Sequence, residues 1–334
     1  MELETLLKFF PHGLRELIVA GDISDVMVNP DGGVYVDRGG RLSRVLQTQI
    51  DPKDLLMPVQ NIAREIGRDL SEREPVLDGR LPDGSRVAAV LLAGELSLTI
   101  RKFNRWYTAA ELIESGTLAD SVSEILATAV RQSMNILISG GTGSGKSTLA
   151  KALLDEAPVT DRIIVIEKPR ELAVSQSNAL RWEARDATSN RSAVTVAQLL
   201  VAALRHRPDR IVIGEVREPE SAYELLQAMN TGHSGTLSTV HADSAQDALH
   251  RLGDLALAAH SNLSAEFVGA QVARTIHYVV HIRREADGRR RVTECGQVKP
   301  GECCVDPLYL ADDREEEYAL YRETGPHRAG GNQG

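Results

Sequence analysis

Residues 140–147 read Gly140-Gly141-Thr142-Gly143-Ser144-Gly145-Lys146-Ser147, which matches the P-loop pattern at every fixed position. The chemistry this composition serves is phosphate binding. Glycines let successive backbone N–H groups turn inward without Cβ clashes, and a helix that follows adds partial positive charge at its N-terminus. Lys146 brings a full charge to the β- and γ-phosphates, the Ser147 hydroxyl suits Mg2+, and Thr148 completes the cradle at the helix start. A glycine-rich turn that binds nothing is the plain alternative. It does not account for the β-run Ile136-Leu137-Ile138 directly before the loop, nor for the helix-forming run Thr148 to Leu154 directly after it. The expected ligands are ATP and Mg2+.

Hydrolysis needs, in addition, a group that orients water. Arg210-Ile211-Val212-Ile213-Gly214-Glu215 is a buried-type strand ending in a carboxylate. Running beside the P-loop strand, it would deliver Glu215 to the attacking water, with Mg2+ contact through solvent. A second acid closes Arg162-Ile163-Ile164-Val165-Ile166-Glu167; if that strand neighbours the P-loop strand, Glu167 reaches the same edge. Glu171 could serve instead, or simply cap the next segment. Arg80, Arg86 and Arg101 sit at or beside β-like runs; solubility would explain them, yet a γ-phosphate needs more positive charge than one lysine supplies.

These residues require a scaffold, and the chain reads as two. In the second half, short β-branched runs (135–139, 163–167, 210–215 and 236–241) alternate with amphipathic helical segments, the pattern of a parallel, doubly wound α/β sheet. Tyr278 to Ile282 and Arg291 to Val298, joined by Ala286-Asp287-Gly288, read as an antiparallel ribbon. The first hundred residues read as mixed α/β. A hairpin turns at Asp31-Gly32-Gly33, a helix spans Asp51 to Gly67, and two strands, Arg86 to Leu92 and Leu96 to Phe103, follow. The pattern loosens between Tyr107 and Leu118. The expected division is an N-terminal domain over 1–105, a linker over 106–118, a P-loop domain over 119–310, and an acidic, disordered tail over 311–334.

The segment Asn230-Thr231-Gly232-His233-Ser234-Gly235-Thr236-Leu237-Ser238-Thr239-Val240-His241-Ala242 places two histidines eight residues apart on a Gly/Thr-rich stretch after the acid strand. It resembles the histidine box of the secretion and traffic ATPases, the hexameric motors of type II and type IV secretion, pilus retraction and conjugation. Three more stretches are similar to that family's motifs: Arg205-His206-Arg207-Pro208-Asp209-Arg210 leading into Gly214-Glu215-Val216-Arg217, Asp78 to Arg86, and Leu98 to Phe103. The short N-terminal domain looks most like the conjugal-transfer (TrbB-type) branch. The resemblance implies a RecA-like ATPase domain and N-terminal-domain arginines that close over the nucleotide. A lone histidine is usually a satisfied polar residue. For His233 and His241 the favoured role is sensing the γ-phosphate or the catalytic acid and passing its loss to the helix that starts near Ser244. In place of the family's usual Glu-Asp, this chain has Glu167-Lys168; adjacent strand residues face opposite ways, so Lys168 is expected to point away from the nucleotide.

Composition narrows the remaining choices. Acidic residues number 47 against 38 basic ones, for a net charge of −9, and aromatics make up 4%; both speak against direct nucleic-acid reading. Cys295, Cys303 and Cys304 are too few for a disulfide framework, do not form a four-cysteine zinc module, and fit a reducing compartment. The start, Met1-Glu2-Leu3-Glu4, lacks a signal peptide's positive charge, and the longest apolar run, Val87 to Ala93, is far short of the ~20 residues of a membrane span. The expectation is a cytoplasmic Mg2+-dependent ATPase, a hexameric ring docked through inner-membrane channel proteins of a type IV secretion or conjugation apparatus. A pilus-assembly motor of the same family is one alternative. A DNA-translocating hexameric ATPase and a nucleotide-gated adaptor that barely turns over are the others.

Overall fold

Alternating apolar residues in the first hundred positions build an antiparallel sheet with one buried face. The structure is a computed structural model and describes residues 6–81, 84–102, 106–187 and 191–311. Its first compact unit runs to residue 105 and takes in residues 286–289. The unit contains α1 (His12–Val19), β1 (Ile23–Val28), β2 (Gly33–Arg38), β3 (Arg41–Gln49), α2 (Lys53–Glu65), β4 (Val76–Arg80), β5 (Arg86–Leu92) and β6 (Glu95–Arg101). The strands lie in the order β3-β2-β1-β6-β5-β4. Leu14 and Ile18 of α1 and Leu55, Val59 and Ile62 of α2 pack with Val26, Val87, Leu98 and Ile100 of the strands in one core. Asp51 Oδ1 accepts the Lys53 N–H at 2.9 Å, which ties the chain at the start of α2.

Two of these strands escaped the sequence reading for a physical reason. β3 is an edge strand whose Leu42 and Leu46 are exposed, so it lacks the half-buried alternation that marks a strand. β4, at the opposite edge, carries Gly79 beside its last residue, and Val76 at its start is exposed.

The second unit begins at Trp106. It contains α3 (Ala109–Glu114), α4 (Asp120–Arg131), β7 (Ile136–Ser139), α5 (Lys146–Leu154), β8 (Ile163–Glu167), β9 (Ala179–Glu183), α6 (Val196–Ala203), β10 (Arg210–Ile213), α7 (Pro219–Asn230) and β11 (Leu237–Val240). α8 (Ala245–Ala259), α9 (Ala265–Thr275), β12 (Tyr278–Arg284), β13 (Arg290–Val298) and β14 (Val305–Leu310) complete it. The loose pattern between Tyr107 and Leu118 conceals α3, a helix closed by a capping box in which Thr108 and Glu111 satisfy each other's backbone N–H groups. Leu112 and Leu118 are buried in this unit's core. The acidic stretch 312–334, Pro82, Asp83 and Phe103 lie outside the described residues.

The sheet order is β14-β13-β12-β7-β11-β10-β8-β9. Pairing is parallel from β12 to β9 and antiparallel for β12-β13-β14. Every residue of β7, β8, β10 and β11 is buried, as a sheet covered on both faces requires. One face packs Leu137, Ile164, Ile211 and Val240 against α6, α7, α8 and α9, and the other packs Ile136, Val165, Val212 and Leu237 with α3, α4 and α5. This order corrects the expected neighbourhood of the acids. β11 lies between β7 and β10, and β8 lies beyond β10, so neither acid-bearing strand adjoins the P-loop strand.

Candidate nucleotide site

In a parallel sheet, side chains and helix N-termini converge at the carboxyl ends of the strands. Here β7 ends at Ser139, level with Val240 of β11 on one side and His281 of β12 on the other. The loop that follows fits only glycine at its first position: a Cβ on Gly140 (φ +153°) would stand 2.1 Å from the Ile282 carbonyl oxygen and 2.6 Å from Ser144 Oγ. Gly145 caps α5 in the left-handed conformation, φ 106°. Lys146 is buried, and its Nζ donates to the carbonyls of Gly140 and Gly141, each at 2.8 Å. Gly141, Thr142 and Gly143 are exposed at the loop tip, and Ser147 and Thr148 are half-buried on the first turn of α5. The Ser147 hydroxyl has no hydrogen-bond partner among the described residues.

Glu215 reaches this loop from two residues beyond β10. β11 holds the connecting backbone: Val216 N–H donates to the Thr239 carbonyl at 2.8 Å, and Thr239 Oγ1 donates to the Gly214 carbonyl at 2.6 Å. Glu215 Oε2 accepts from Arg217 Nη2 at 2.6 Å, and Oε1 lies 2.8 Å from His241 Nε2. Burial depresses the Lys146 ammonium pKa, opposed first by the Glu215 charge, with Arg217 and Glu171 also acting on it. His241 is likewise pushed below its ordinary value, by burial first and by Lys146 next, while Glu215 and a backbone hydrogen bond to Gly140 act the other way. Lys146, Glu215, Arg217 and His241 therefore form one electrostatic cluster on the P-loop. A hydroxyl and a carboxylate are hard oxygen donors, so Ser147 and Glu215 fit Mg2+, which takes few protein ligands when phosphates supply the others.

Glu167 behaves differently. Its side chain is buried, and Oε1 accepts the backbone N–H groups of Glu171 (3.0 Å) and Leu172 (2.9 Å), which organises the loop after β8. Oε2 is buried without a hydrogen-bond partner. Burial, only partly offset by those two backbone bonds, raises its pKa to about 7. The carboxyl presses against Gly214, where an added Cβ would lie 2.8 Å from Glu167 Cγ. Lys168 points elsewhere, as adjacent strand residues must, and pairs with Asp186 at 2.6 Å and Glu218 at 3.8 Å.

His233 is not brought to this cluster. It precedes β11, at the opposite end of the sheet from His241, and its Nδ1 lies 3.3 Å from Thr231 Oγ1. In the first unit, Arg80, Arg86 and Arg101 are direct cross-strand partners on β4, β5 and β6, forming a row on one sheet face. Arg101 pairs with Asp25 at 2.8 Å, Arg86 with Asp78 at 3.5 Å, and Arg80 Nε donates to the Gly84 carbonyl at 3.2 Å. The sequence reading missed Arg290, at the start of β13, whose Nε donates to the Gly143 carbonyl at 3.1 Å. The only signal was the run Arg289-Arg290-Arg291 beside a turn, which by itself reads as a solvated ribbon end.

Comparison with known proteins places the chain in a family. Residues 12–329 match the family model described as Type II/IV secretion system protein. The chain is 32% identical over 285 residues to the conjugal transfer protein TrbB of Rhizobium radiobacter, covering 82% of this chain and 84% of that protein. It is 36% identical over 319 residues to the type IV secretion system protein PtlH homolog of Bordetella bronchiseptica, covering 86% and 93%. In fold it is similar to the X-ray structure of the Yersinia pseudotuberculosis ATPase DotB, with a TM-score of 0.63, 17% identity, and coverage of 95% of this chain and 84% of that one. No helix among the described residues is long and apolar enough to cross a membrane. With its P-loop, acid strand and histidine segment in the order the motifs required, the chain belongs to the type II/IV secretion system protein family.

Proposed function

We propose that this protein is a Mg2+-dependent ATP hydrolase that powers a type IV secretion or conjugal-transfer apparatus. The observation that carries this reading is the meeting of Glu215, His241 and Lys146 on one P-loop. Lys146 and the loop N–H groups bind the β- and γ-phosphates. Ser147 and Glu215 would hold Mg2+, which offsets charge on the phosphates when bound. Glu215, held by Arg217, accepts a hydrogen bond from the attacking water and aligns it with the γ-phosphate. His241 stands between Glu215 and Gly140, three residues before Ser244, which caps α8 by accepting the Asp247 N–H. A change at the γ-phosphate thus has a short covalent route to that helix.

Glu167 serves the reaction through the loop it organises, which carries Glu171 towards Lys146. To Arg101, with Arg86 and Arg80 beside it, we assign the added phosphate charge that the family resemblance implies; their common sheet face supports a shared role. His233, at the other end of β11, is assigned a role outside the nucleotide site of its own subunit. The working form is a ring of identical subunits, a hexamer by family resemblance, at the inner face of the cytoplasmic membrane and docked on channel proteins. The names of relatives in conjugal transfer and type IV secretion support the apparatus. Phosphate release and nucleotide affinity measured on wild type and Glu215→Gln test the assignment. Turnover is expected to fall ~10²-fold with affinity retained; equal turnover would refute it.

A further inference from the structure

The opposite edge of the same sheet carries a second concave site. A cleft of about 540 Å³ opens beside the start of β7, lined by residues of α7, α9 and the segments that enter β7, β11 and β12. It is separated from the P-loop by the four residues of β7, roughly 13 Å of strand. Asn135 holds its floor. Its Oδ1 accepts the Thr236 N–H at 2.9 Å, its Nδ2 donates to the Thr275 carbonyl at 2.7 Å, and its own N–H donates to His277 Nδ1 at 2.9 Å.

The polar groups left over in this cleft are mostly donors. Because His277 Nδ1 accepts, the ring proton resides on Nε2, which makes no hydrogen bond among the described residues. Burial pushes that imidazole below its ordinary pKa. Arg274 uses Nε to hold Asn230 Oδ1 at 3.0 Å; its two Nη groups have no partner among the described residues. Asn230 Nδ2 is buried and unpartnered. Gln227 Nε2 donates to Gln271 Oε1 at 3.3 Å, which leaves the Gln271 amide nitrogen free to donate as well. No aspartate or glutamate lines the cleft, in a chain with 47 of them. Phe267, half exposed, and Met229 supply apolar wall.

A buried donor without an acceptor costs about 1–3 kcal/mol, as at Asn230 Nδ2; with the unpartnered His277 Nε2, one exposed guanidinium and no carboxylate beside it, the site favours an acceptor-rich anion. The volume lies within the range of small-molecule sites. We propose that this cleft binds a small organic anion, with its oxyanion group on Arg274, Asn230 and His277 and its apolar or planar body against Phe267 and Met229. Carboxylates and phosphate monoesters share that chemistry. Either would add a regulatory input on the edge of the sheet away from the nucleotide, at the ends of α7 and α9.

Ligand-observed NMR titrations on the full chain test it, with benzoate, phenyl phosphate and inorganic phosphate as probes. Saturating ADP and Mg2+ are present throughout so that the P-loop is occupied. Benzoate or phenyl phosphate is expected to bind under these conditions, and the tighter of the two identifies the oxyanion class. Arg274→Gln should weaken that probe roughly 10-fold or more, and Asn230→Ala by a smaller factor. Phe267→Ala should weaken it more than it weakens inorganic phosphate, whereas Lys146→Ala should leave it unchanged. Arg274 and Phe267 are exposed, so these variants retain the fold, which matched thermal midpoints verify. The proposal is overturned if neither organic probe binds at ~10 mM with ADP present, or if Arg274→Gln binds the probe as wild type does.

Discussion

The two edges of the eight-stranded sheet are built on opposite plans. At the carboxyl edge, Lys146, Glu215, Arg217 and His241 sit within one another's fields on a glycine loop, with partly exposed groups and depressed Lys146 and His241 pKa values. At the amino edge, Arg210 is buried at the start of β10 and closed by Asp161 at 2.5 Å and Ser133 at 3.2 Å, with Gly235 leaving room for its guanidinium. The first edge holds charge where a ligand can meet it; the second mostly seals charge inside the fold. The lesson is that a charged residue at a strand end acquires its meaning from the edge it occupies. Substitutions at the carboxyl edge should cost turnover, and those in the sealed Arg210 cluster of the amino edge should cost stability.

Lys146→Ala offers the largest effect. It should lower ATP turnover by ~10³-fold or more, about 4 kcal/mol of barrier, with the thermal midpoint close to wild type. A phosphate-release assay beside a melting curve decides, and a variant that unfolds instead would erase the contrast between the edges. Arg210→Ala is the converse. Removing one partner of a buried ion pair should cost about 3 kcal/mol of stability by denaturant titration, while the folded fraction keeps turnover within about twofold of wild type. A large loss of turnover in fully folded Arg210→Ala would show that the amino edge feeds the chemistry.

Glu167→Gln tests the buried acid through pH. With its pKa raised to about 7 from 4.5, the folded chain keeps a proton that the unfolded chain has released. Its stabilising contribution is therefore full below about pH 4.5 and lost as pH rises to about 7. The wild type should lose on the order of 3 kcal/mol across that window from this group, and Glu167→Gln should flatten the loss. Denaturant midpoints for both proteins at pH 5 and pH 7.5 suffice, and parallel pH profiles would place Glu167 as an ordinary carboxylate. The smallest effect is expected at Arg290, whose exposed side chain touches the loop backbone through one hydrogen bond. Arg290→Ala should change kcat/KM for ATP by roughly 5-fold, about 1 kcal/mol, with little change in melting. No change would mark it as a surface residue that happens to lie on the loop.

Much of the candidate site was legible because its residues are close in sequence or tied to a strand end. The P-loop is contiguous, Glu215 follows the apolar run Ile211-Val212-Ile213, and His241 follows the short strand-like run Leu237-Ser238-Thr239-Val240. What misled was adjacency. The runs 163–167 and 210–215 look equally able to neighbour β7, and only the path of the crossover helices inserts β11 between β7 and β10, with β8 beyond. For the same reason the spacing of His233 and His241 hid that a four-residue strand carries them to opposite edges. Glu167 looked like a site acid because nothing local distinguishes a carboxylate facing phosphates from one bound to two backbone N–H groups of its own loop.

The sequence by itself determined the phosphate chemistry, the alternation of strands and helices, and the opposite directions of Glu167 and Lys168, because glycine content, apolar periodicity and strand pleat are local properties. Tertiary structure alone decided which acid meets Lys146, which histidine joins it, and that Arg290 reaches Gly143 across 147 positions of chain. Those outcomes follow from strand order and register. They minimise exposed apolar surface over the whole sheet, so no window of sequence contains them.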